Sequence, residues 1–362
     1  MDIVILGFIT AFFIVLLATP SLIKVAKLKR LVDEPSEARK LHISSVPTIG
    51  GIIIFAGFIF AYALWFPTED RNYFYDPYND LLQAFDQFKY MIASLLILFF
   101  IGVKDDIIGT APLYKLVGHM LVAFILVLMA DVRIESMHGL FGYEQIPDWF
   151  SIMLSVFTYV VIVNGFNLID GVDGLAAGVG MIACAFFALW FYMAGDIPLT
   201  LLASCLAGAL FAFLIFNFHP ARIFMGDSGS MLIGAVMSVL AIMMVEHDTS
   251  KLPESIMHIS TPVLAMSILS YPLVDTLRVF MLRALAGNSP FLADKNHIHH
   301  KLLSSGLNHS RTALAVYLLN ISLVMINLLF MQLNVTLAFL LMLASATLLY
   351  HLPLLIRSRK KV

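Results

Sequence analysis

The sequence predicts an all-α polytopic integral membrane protein, and its composition and mean hydropathy lead to this fold class. Of the 362 residues, 60% are hydrophobic and only 13% are charged. The mean hydropathy of +0.91 is far above that of a water-soluble domain of this size. Both cysteines, Cys184 and Cys205, lie inside apolar runs, so we expect small core residues rather than a disulfide framework.

Apolar segments that approach the length of about 20 residues needed to cross a bilayer occur eleven times. The predicted spans cover residues 3–23, 48–66, 89–103, 116–131, 149–163, 175–194, 198–216, 229–246, 258–280, 312–331 and 334–356. The third and fifth spans are short, and each can gain a turn from its neighbouring loop. Without an internal repeat or a soluble domain, the chain is predicted to form one transmembrane domain, residues 1–362. The N-terminus lacks a basic region and a cleavage pattern, so we expect the first span to be retained.

The basic residues predict the orientation of the chain. With the N-terminus outside, eighteen lysines and arginines fall in cytoplasmic segments, and only Arg71, Lys89, Arg133 and Lys251 fall outside. This asymmetry follows the positive-inside rule. An odd number of spans then places the basic C-terminal run, residues 357–361, at the cytoplasmic face beside anionic lipid.

Nearly every unusual polar group falls in cytoplasmic segments near residues 24–47, 104–115, 164–174, 217–230 and 281–311. In the third segment, Asn164, Asn167, Asp170 and Asp173 recur every third residue between long apolar runs. Burying such groups in hydrocarbon without partners is costly, so we expect them in water or in a protein-lined site. The spacing favours a tight or irregular turn, because an α-helix would spread the side chains over a wider arc. A polar loop with Asx-turns is the alternative.

Two adjacent carboxylates, Asp105 and Asp106, lie at the inner end of the third span and are followed by Lys115. Adjacent carboxylates repel each other and persist where a cation offsets their charge. Mg²⁺ suits such a pair because it binds one or two carboxylates together with substrate phosphates. A solvated helix end is the alternative, although carboxylates are poorly placed at the negative end of a helix dipole.

The fourth segment contains Gly226-Asp227-Ser228-Gly229. These four residues are similar to the nucleophile region of secreted serine proteases, but a triad is defined by geometry, and this segment opens a membrane span. An ordinary N-cap at Asp227 or Ser228 is the structural alternative. Because a second acidic loop faces the same compartment, Asp227 is also a candidate metal ligand.

The fifth segment carries three histidines, His297, His299 and His300, on a predicted short helix that Asp294 can cap and Gly306 can close. No cysteine or acid completes a familiar zinc spacing, so we expect imidazoles that hydrogen-bond a sugar or a phosphate. Nearby, Asp275 and Arg278 are one turn apart and are predicted to form a structural ion pair first and a site second.

The first segment places Lys40 and His42 ahead of Gly50 and Gly51, which begin the second span. Free N–H groups and the helix dipole favour anions at such a position, which predicts a phosphate cradle. Membrane anchoring by positive charge is the alternative for these residues, and it is our interpretation of the cations at positions 24–30.

Four ordered motifs in these segments resemble the polyprenyl-phosphate N-acetylhexosamine-1-phosphate transferase superfamily. They are Asp-Asp at 105–106, Asn-Leu-Ile-Asp-Gly-Val-Asp-Gly at 167–174, Phe-Met-Gly-Asp-Ser-Gly-Ser at 224–230 and His-Ile-His-His at 297–300. Arg-Lys-Leu-His at 39–42 and Ser-Pro-Phe at 289–291, with Asp294 and Gly306, are most similar to the bacterial undecaprenyl-phosphate GlcNAc-1-phosphate transferases. The peptidoglycan branch carries a different histidine loop and typically ten spans. His119 stands where the family has glutamine, which leaves that contact open.

The resemblance implies an enzyme of the bacterial inner membrane that transfers GlcNAc-1-phosphate from UDP-GlcNAc to undecaprenyl phosphate and releases UMP. It implies that Asp227 holds Mg²⁺ or Mn²⁺, with Asp105 and Asp106 at the metal and the lipid phosphate. The nucleotide pocket that it implies consists of Asn167, Asp170, Asp173, Asn217 and Phe224. The three histidines would face the diphosphate and sugar, while Lys40, His42 and Lys115 would bind phosphate.

A lipid phosphate is mostly dianionic at neutral pH, since its second pKa is ~6, and this favours direct attack on the sugar-bearing phosphate. A covalent aspartyl-phosphate route is the alternative. Transfer of another UDP-hexosamine phosphate, including phospho-MurNAc-pentapeptide, is a rival reaction. A divalent-cation or proton-coupled transporter is the rival from another class, and it predicts acids near the midplane. We expect no nucleic-acid partner, and the sequence leaves open both a homodimer and the polysaccharide that is served.

Overall fold

The computed structural model describes residues 2–33, 46–67, 77–249, 252–254, 256–287, 296–330 and 333–355. These residues form thirteen α-helices and one antiparallel pairing of two-residue strands. The helices are α1 (Asp2–Leu28), α2 (Gly50–Trp65), α3 (Pro77–Ile108), α4 (Pro112–Phe124), α5 (Asp148–Ile169), α6 (Leu175–Ala194), α7 (Ile197–Asn217), α8 (Gly226–Val245), α9 (Thr261–Ile268), α10 (Ser270–Leu285), α11 (Ile298–Ser304), α12 (His309–Leu328) and α13 (Val335–Leu355). Strand β1 (Val32–Asp33) pairs with β2 (Val46–Pro47), with Val32 opposite Pro47.

The helical content and the apolar character of the helices confirm an all-α polytopic membrane protein. Among the described residues, seven helices are long and apolar enough to cross a membrane, namely α1, α4 with its π-helical extension to Met129, α5, α6, α7, α8 and α12. The bent pair α9–α10 would be an eighth span. The shorter α2 and α13 and the 32-residue α3 occupy the remaining predicted positions. The count of eleven spans and the N-terminus-outside orientation stay predictions.

The boundary between α6 and α7 follows from local sequence. Helix α6 ends at Gly195, whose φ of +79° is the left-handed conformation in which many helices terminate. Asp196 then accepts a hydrogen bond of 3.0 Å from the backbone N–H of Leu199, and Pro198 occupies the first turn of α7. The predicted spans 175–194 and 198–216 therefore agree with the observed helices to within one residue.

The predicted span 258–280 corresponds to a bent pair of helices, because the chain turns by 77° between α9 and α10. Pro272 has no N–H to donate to the carbonyl of Ile268, four residues earlier, so the helix is weakened there. The side chain of Asn320 on α12 replaces the missing donor, since its Nδ2 lies 3.1 Å from the Ile268 carbonyl oxygen. Its Oδ1 accepts hydrogen bonds from the hydroxyl of Ser270 and the backbone N–H of Tyr271. One buried amide thus pairs the polar groups that the bend frees inside the membrane region.

Helices α7 and α8 form the centre of the bundle. In their most apolar 18-residue windows 83% and 94% of residues are buried, compared with 22% for α1 at the periphery. Helices α1 and α6 pack on α7, while α3 and α5 pack on α8. The C-terminal end of α3 and the N-terminal end of α8 therefore meet at one end of the bundle, roughly 30 Å from the other end of the 20-residue α8.

Candidate active site

A carboxylate on α3 caps the N-terminus of α8. The Oδ1 atom of Asp106 accepts a hydrogen bond of 2.7 Å from the backbone N–H of Asp227. Its Oδ2 accepts from the backbone N–H of Ser228 at 3.2 Å and from the Ser228 hydroxyl at 2.5 Å. The expected alternative, a local N-cap at Asp227 or Ser228, is therefore wrong, because the cap comes from another helix. The first turn of α8 is fixed to the end of α3.

The close approach of these helices requires glycine at position 226. Gly226 has a φ of +75°, and a Cβ atom there would collide with the carbonyl oxygen of Thr48 and the carboxylate of Asp106. Asp106 lies beyond the predicted span 89–103, and burial raises the pKa of its carboxyl group even though three hydrogen bonds oppose the rise. The carboxylate of Asp106 is thus held where binding of a proton or a cation that neutralises its charge is favoured.

Lys115 on α4 joins two of the predicted catalytic acids. Its Nζ lies 2.6 Å from Oδ2 of Asp105 and also contacts Oδ2 of Asp227. The hydroxyl of Thr110 donates a further hydrogen bond to Asp105. Burial raises the pKa of Asp105, but the contacts with Lys115 and Thr110 outweigh this effect, so the net shift is downward. Lys115, predicted to bind phosphate, therefore pairs with carboxylates in this structure.

The spacing of the amides and carboxylates at 164–173 predicted that they lie on one irregular turn, and this prediction is wrong. Asn164 and Asn167 belong to the last turns of α5, and only Asp170 and Asp173 lie in the turn that follows. Asn164 donates to the carbonyl oxygen of Val160 within its own helix. Asn167 donates to the hydroxyl of Ser230 at 3.0 Å, which ties the end of α5 to α8. Helix formation continues to Ile169 because the preceding residues pack in the core.

Asp170 and Asp173 have different surroundings although they are one turn apart. Within the described part of the chain, the carboxylate of Asp170 forms no hydrogen bond or ion pair, and burial together with the carboxylates of Asp227 and Asp106 raises its pKa. Asp173 contacts Nδ1 of His219 at 2.7 Å, the backbone N–H of Ala221 at 3.2 Å and Nδ1 of His309 at 3.3 Å. Burial raises the pKa of Asp173, but the contacts with the two histidines prevail and lower it to about 2.

Asn217 and Phe224 connect the turn to the segment before α8. The Oδ1 of Asn217 accepts the backbone N–H of Gly174, and its Nδ2 donates to the carbonyl oxygen of Ile223. The carbonyl oxygens of Phe224 and Met225 accept the N–H groups of Gly50 and Gly51 at 3.0 and 2.7 Å. The predicted phosphate cradle at Gly50 and Gly51 is therefore wrong, because these donors are already paired with backbone. Lys40 and His42 lie outside the described residues.

These side chains surround a cavity of about 530 Å³ at one end of the bundle. It brings together the predicted residues Asp105, Asp106, Asn167, Asp170, Asp173, Asn217, Phe224 and Asp227. Arg30, which the sequence suggested as a membrane anchor, also lines it. A second cavity, of about 250 Å³, lies at the opposite ends of α3 and α8 and is lined by none of the predicted residues. The acids thus lie at the helix ends rather than near the midplane, where a transporter would need them.

The three histidines are near this cavity but do not line it. His297 immediately precedes α11, and its Nδ1 lies 2.7 Å from Oδ2 of the fully buried Asp275. The predicted pair of Asp275 with Arg278 is wrong, because Arg278 donates to the carbonyl oxygen of Asn296 instead. The chain returns α11 onto α10, so Asp275 meets His297 and the backbone N–H of Ile298.

His299 and His300 follow on α11. The Nδ1 of His299 lies 3.2 Å from the hydroxyl of Tyr271, and a Cβ atom at Gly171 would lie 3.3 Å from its Nε2. His300 packs against His299 with ring centroids 4.4 Å apart. Asp294, the predicted cap of this helix, lies outside the described residues. Gly306 follows the helix with a φ of +101°, as a C-terminal glycine should.

The donor set of the cavity fits a hard divalent cation. Asp106, Asp170 and Asp227 supply carboxylate oxygens, and burial, together with the neighbouring carboxylates, raises the pKa of Asp106 and of Asp170. A cation would offset both effects. Asp173, His219 and His309 also lie close enough together to hold an ion. Their 2.7 and 3.3 Å separations are those of hydrogen bonds, so we interpret this second group as a hydrogen-bonded cluster.

Several residues of the site were given no role by the sequence. His219 and Thr110 lie a few residues from predicted site residues, so their position in the sequence could have drawn attention to them. His309 and Tyr317 lie on α12, far along the chain, and only the isolated histidine at the start of an apolar run was a signal. His119, which departs from the family's glutamine, is buried one turn from Lys115, and its Nδ1 has no hydrogen-bond partner among the described residues.

Comparison with known proteins gives matches along most of the chain. Residues 88–245 match the sequence profile described as Glycosyl transferase family 4. A decaprenyl-phosphate N-acetylglucosaminephosphotransferase of Mycobacterium tuberculosis (strain ATCC 25618 / H37Rv) is 33% identical over 326 residues, which cover 86% of this chain and 78% of the relative. A probable undecaprenyl-phosphate N-acetylglucosaminyl 1-phosphate transferase of Bacillus subtilis (strain 168) is 29% identical over 318 residues, 87% of this chain and 82% of the relative. The undecaprenyl-phosphate alpha-N-acetylglucosaminyl 1-phosphate transferase of Escherichia coli (strain K12) is 28% identical over 288 residues, which cover 78% of this chain and 72% of the relative.

Proposed function

Because the chain belongs to glycosyl transferase family 4, we propose that it transfers GlcNAc-1-phosphate from UDP-GlcNAc to undecaprenyl phosphate. The products are undecaprenyl-diphospho-GlcNAc and UMP. Relatives that match 72–82% of their own length to this chain are named as N-acetylglucosamine-phosphate transferases of decaprenyl or undecaprenyl phosphate. The observation that carries the proposal is the cavity at the ends of α3, α5 and α8, where carboxylates from three separate motifs meet.

In this proposal Asp106 and Asp227 hold a Mg²⁺ ion, with Asp170 beside them. Bound Mg²⁺ would neutralise phosphate oxygens and stabilise the charge that develops on the leaving nucleotide. Asp106 also holds the first turn of α8 in place, so the carboxylate of Asp227 keeps its position at the cavity wall. The same residues would accept Mn²⁺, which also prefers oxygen ligands.

The reaction requires one phosphorus–oxygen bond to form and one to break. An oxygen of the lipid phosphate attacks the phosphorus that bears the sugar, and the bond to the oxygen of the UMP phosphate breaks. The attacking lipid phosphate is already largely ionised at neutral pH, so the reaction hardly requires Asp105 to act as a general base. Lys115 places a positive charge between Asp105 and Asp227, beside the region where two anions must approach each other.

The nucleotide sugar is assigned to the wall formed by the 170–174 turn and the segment before α8. Asn167, Asp170, Asn217 and Phe224 line the cavity, and Asp170 and Phe224 would contact the nucleotide. The amide of Asn217 is engaged with backbone groups at both ends, so its role is to hold the two segments together. His297, His299 and His300 would face the diphosphate and sugar from the adjacent α11, while Lys40 and His42 would add positive charge.

The proposed setting is the bacterial plasma membrane, with this end of the bundle facing the cytoplasm. The excess of lysine and arginine in the segments at this end supports that side. UDP-sugars are charged and water-soluble, so their site must open to the compartment that contains them. The product would begin a cell-envelope polysaccharide. Neither the fold nor the proposed reaction requires a second copy of the chain, although a homodimer is compatible with both.

The experiment that tests the reaction combines purified protein, undecaprenyl phosphate, Mg²⁺ and a panel of UDP-sugars, and measures released UMP. The proposal predicts turnover with UDP-GlcNAc. Turnover only with UDP-MurNAc-pentapeptide would transfer the assignment to the peptidoglycan branch. Incubation with UDP-GlcNAc alone, without lipid, tests the route, because a trapped phosphorylated enzyme would overturn direct attack.

A further inference from the structure

Helix α12 contacts the turn of residues 170–174 at two points, although its sequence suggested only a membrane span. Tyr317, in the middle of α12, donates a hydrogen bond from its hydroxyl to the carbonyl oxygen of Gly174. His309, at the start of the helix, lies against Asp173. The two residues are eight positions apart, about two helical turns, so one face of α12 reaches both sites.

The contact of Tyr317 depends on two glycines. Gly174 has a φ of +78°, the left-handed conformation in which its N–H donates to Asn217 and its carbonyl accepts from Tyr317. Gly178, one turn into α6, leaves the space that the ring crosses, because a Cβ atom there would lie 1.9 Å from the Tyr317 hydroxyl oxygen. The glycine at position 178 of α6 therefore leaves the space through which the Tyr317 side chain reaches Gly174.

The contact of His309 completes a cluster around Asp173. Nδ1 of His309 lies 3.3 Å from Oδ1 and 3.3 Å from the backbone nitrogen of Asp173. The His219 ring stacks on the His309 ring, with centroids 5.0 Å apart and planes inclined by 23°. His219 and the backbone N–H of Ala221 satisfy Oδ2 of Asp173. Asp173 is thus surrounded by protein donors, and its side chain is only 2% exposed.

These contacts fix the last two residues of the turn that lines the cavity. Asp170, Gly171, Val172 and Asp173 line the cavity, and α12 holds Asp173 and Gly174 in place. We propose that His309 and Tyr317 are positioning residues that set the place of Asp170 for nucleotide-sugar binding. The proposal rests on the proposed function, since it assigns the nucleotide sugar to this turn. Asp173 then anchors the turn through its contacts with His219, His309 and the N–H of Ala221.

Tyr317→Phe tests the proposal with the ring retained and the hydroxyl removed. The expected result is a KM for UDP-GlcNAc raised about tenfold, the factor that corresponds to the loss of one well-placed hydrogen bond. The kcat and the KM for undecaprenyl phosphate should stay near wild type. The matched control is Tyr350→Phe, which removes a hydroxyl bonded to Ser270 and lies in a fully buried position near the α9–α10 bend. It should lower the melting temperature by a similar amount and leave the KM unchanged.

A pair of variants at His309 gives a second readout. Asparagine places a polar nitrogen near the position of Nδ1, so His309→Asn should restore much of the nucleotide affinity that His309→Ala loses. Equal values of KM for UDP-GlcNAc in both variants, or a parallel rise in KM for both substrates with falling melting temperature, would overturn the proposal. So would a Tyr317→Phe protein with wild-type kinetics.

Hydrogen exchange separates this inference from the proposed function. In purified full-length protein, the amides of residues 170–176 should exchange faster in Tyr317→Phe than in wild type, and they should not change in Tyr350→Phe. This measurement needs no turnover. Absence of UMP release from the wild type would overturn the reaction, whereas unchanged exchange in Tyr317→Phe would overturn the anchoring by α12.

Discussion

The carboxylate of Asp106 on α3 accepts a hydrogen bond of 2.7 Å from the backbone N–H of Asp227 on α8. Two acids from motifs 121 positions apart thereby form one structural unit. A carboxylate at the N-terminus of a helix is stabilised by the free N–H groups and by the helix dipole. The arrangement explains how a charged residue can be held at the wall of a cavity inside an apolar bundle, and it makes Asp106 both a structural and a functional residue.

Asp106 variants should separate these two roles. Asp106→Asn keeps one oxygen that can accept from the N–H of Asp227 but places an amide NH2 beside Ser228, so it should fold with a smaller loss of melting temperature than Asp106→Ala. Asp106→Ala removes the cap and should destabilise the protein by about 0.5–2 kcal/mol. Both should lose most of their UMP release if Asp106 holds the metal. Full activity in the folded Asp106→Asn protein would show that the residue is only a cap.

The bend between α9 and α10 should depend on Asn320. Asn320→Leu leaves the Ile268 carbonyl and the Tyr271 N–H buried without that partner, at a cost of about 1–3 kcal/mol. Asn327→Leu, on the same helix, removes an amide whose Nδ2 bonds only to the local carbonyl of Leu323 among the described residues. Thermal unfolding in the same detergent should show the larger loss for Asn320→Leu. An equal loss in both variants would contradict the role given to Asn320.

Substitution of Gly226 should damage the site through the backbone. Gly226→Ala would force a side chain into the left-handed conformation and against Thr48 and Asp106, so α8 could not begin in its present position. The expected cost exceeds the ~1–2 kcal/mol of the backbone conformation alone. Gly109→Ala is the matched control, because Gly109 also has a positive φ but a Cβ there would meet no atom within 4 Å. The melting temperature should fall further for Gly226→Ala, and equal losses would remove the steric argument.

His297 should influence the choice of sugar. His297→Asn keeps a nitrogen that can donate to Asp275, so the buried carboxylate stays paired and the protein should fold. Loss of one imidazole nitrogen facing the sugar should reduce the discrimination between UDP-GlcNAc and other UDP-sugars by about tenfold, the value of one hydrogen bond. Ratios of kcat/KM across the UDP-sugar panel provide the measurement. Unchanged ratios would exclude His297 from sugar recognition.

The sequence predicted the membrane fold and the identity of the acids that line the cavity. Long apolar runs define helices because spanning segments must satisfy their backbone internally, and α6 was predicted at its observed residues. Acids and amides are expensive in such a chain, so Asp106, Asp170 and Asp227 stood out by composition alone. The resemblance to the transferase superfamily, which the comparisons confirm, was carried by the same motifs.

What the sequence did not predict are contacts between distant segments. The partner of Asp275 was expected one turn away at Arg278, yet it is His297, because α11 folds back onto α10. The N–H groups of Gly50 and Gly51 looked free in the sequence but pair with the segment before α8. The bend at Leu269 is stabilised by Asn320, a residue 51 positions later that no local pattern connects to it. Such pairings depend on packing and have no local signature.

The Mg²⁺ dependence of UMP release in wild type and in Asp227→Asn is the most direct test of a single metal-binding cavity built from separate motifs. Wild-type turnover should rise with Mg²⁺ and stop when the metal is chelated. Asp227→Asn, with a wild-type melting temperature, should lose at least the ~10–100-fold that even an outer-shell partner contributes. A folded Asp227→Asn protein with the wild-type rate and the same Mg²⁺ dependence would contradict the account.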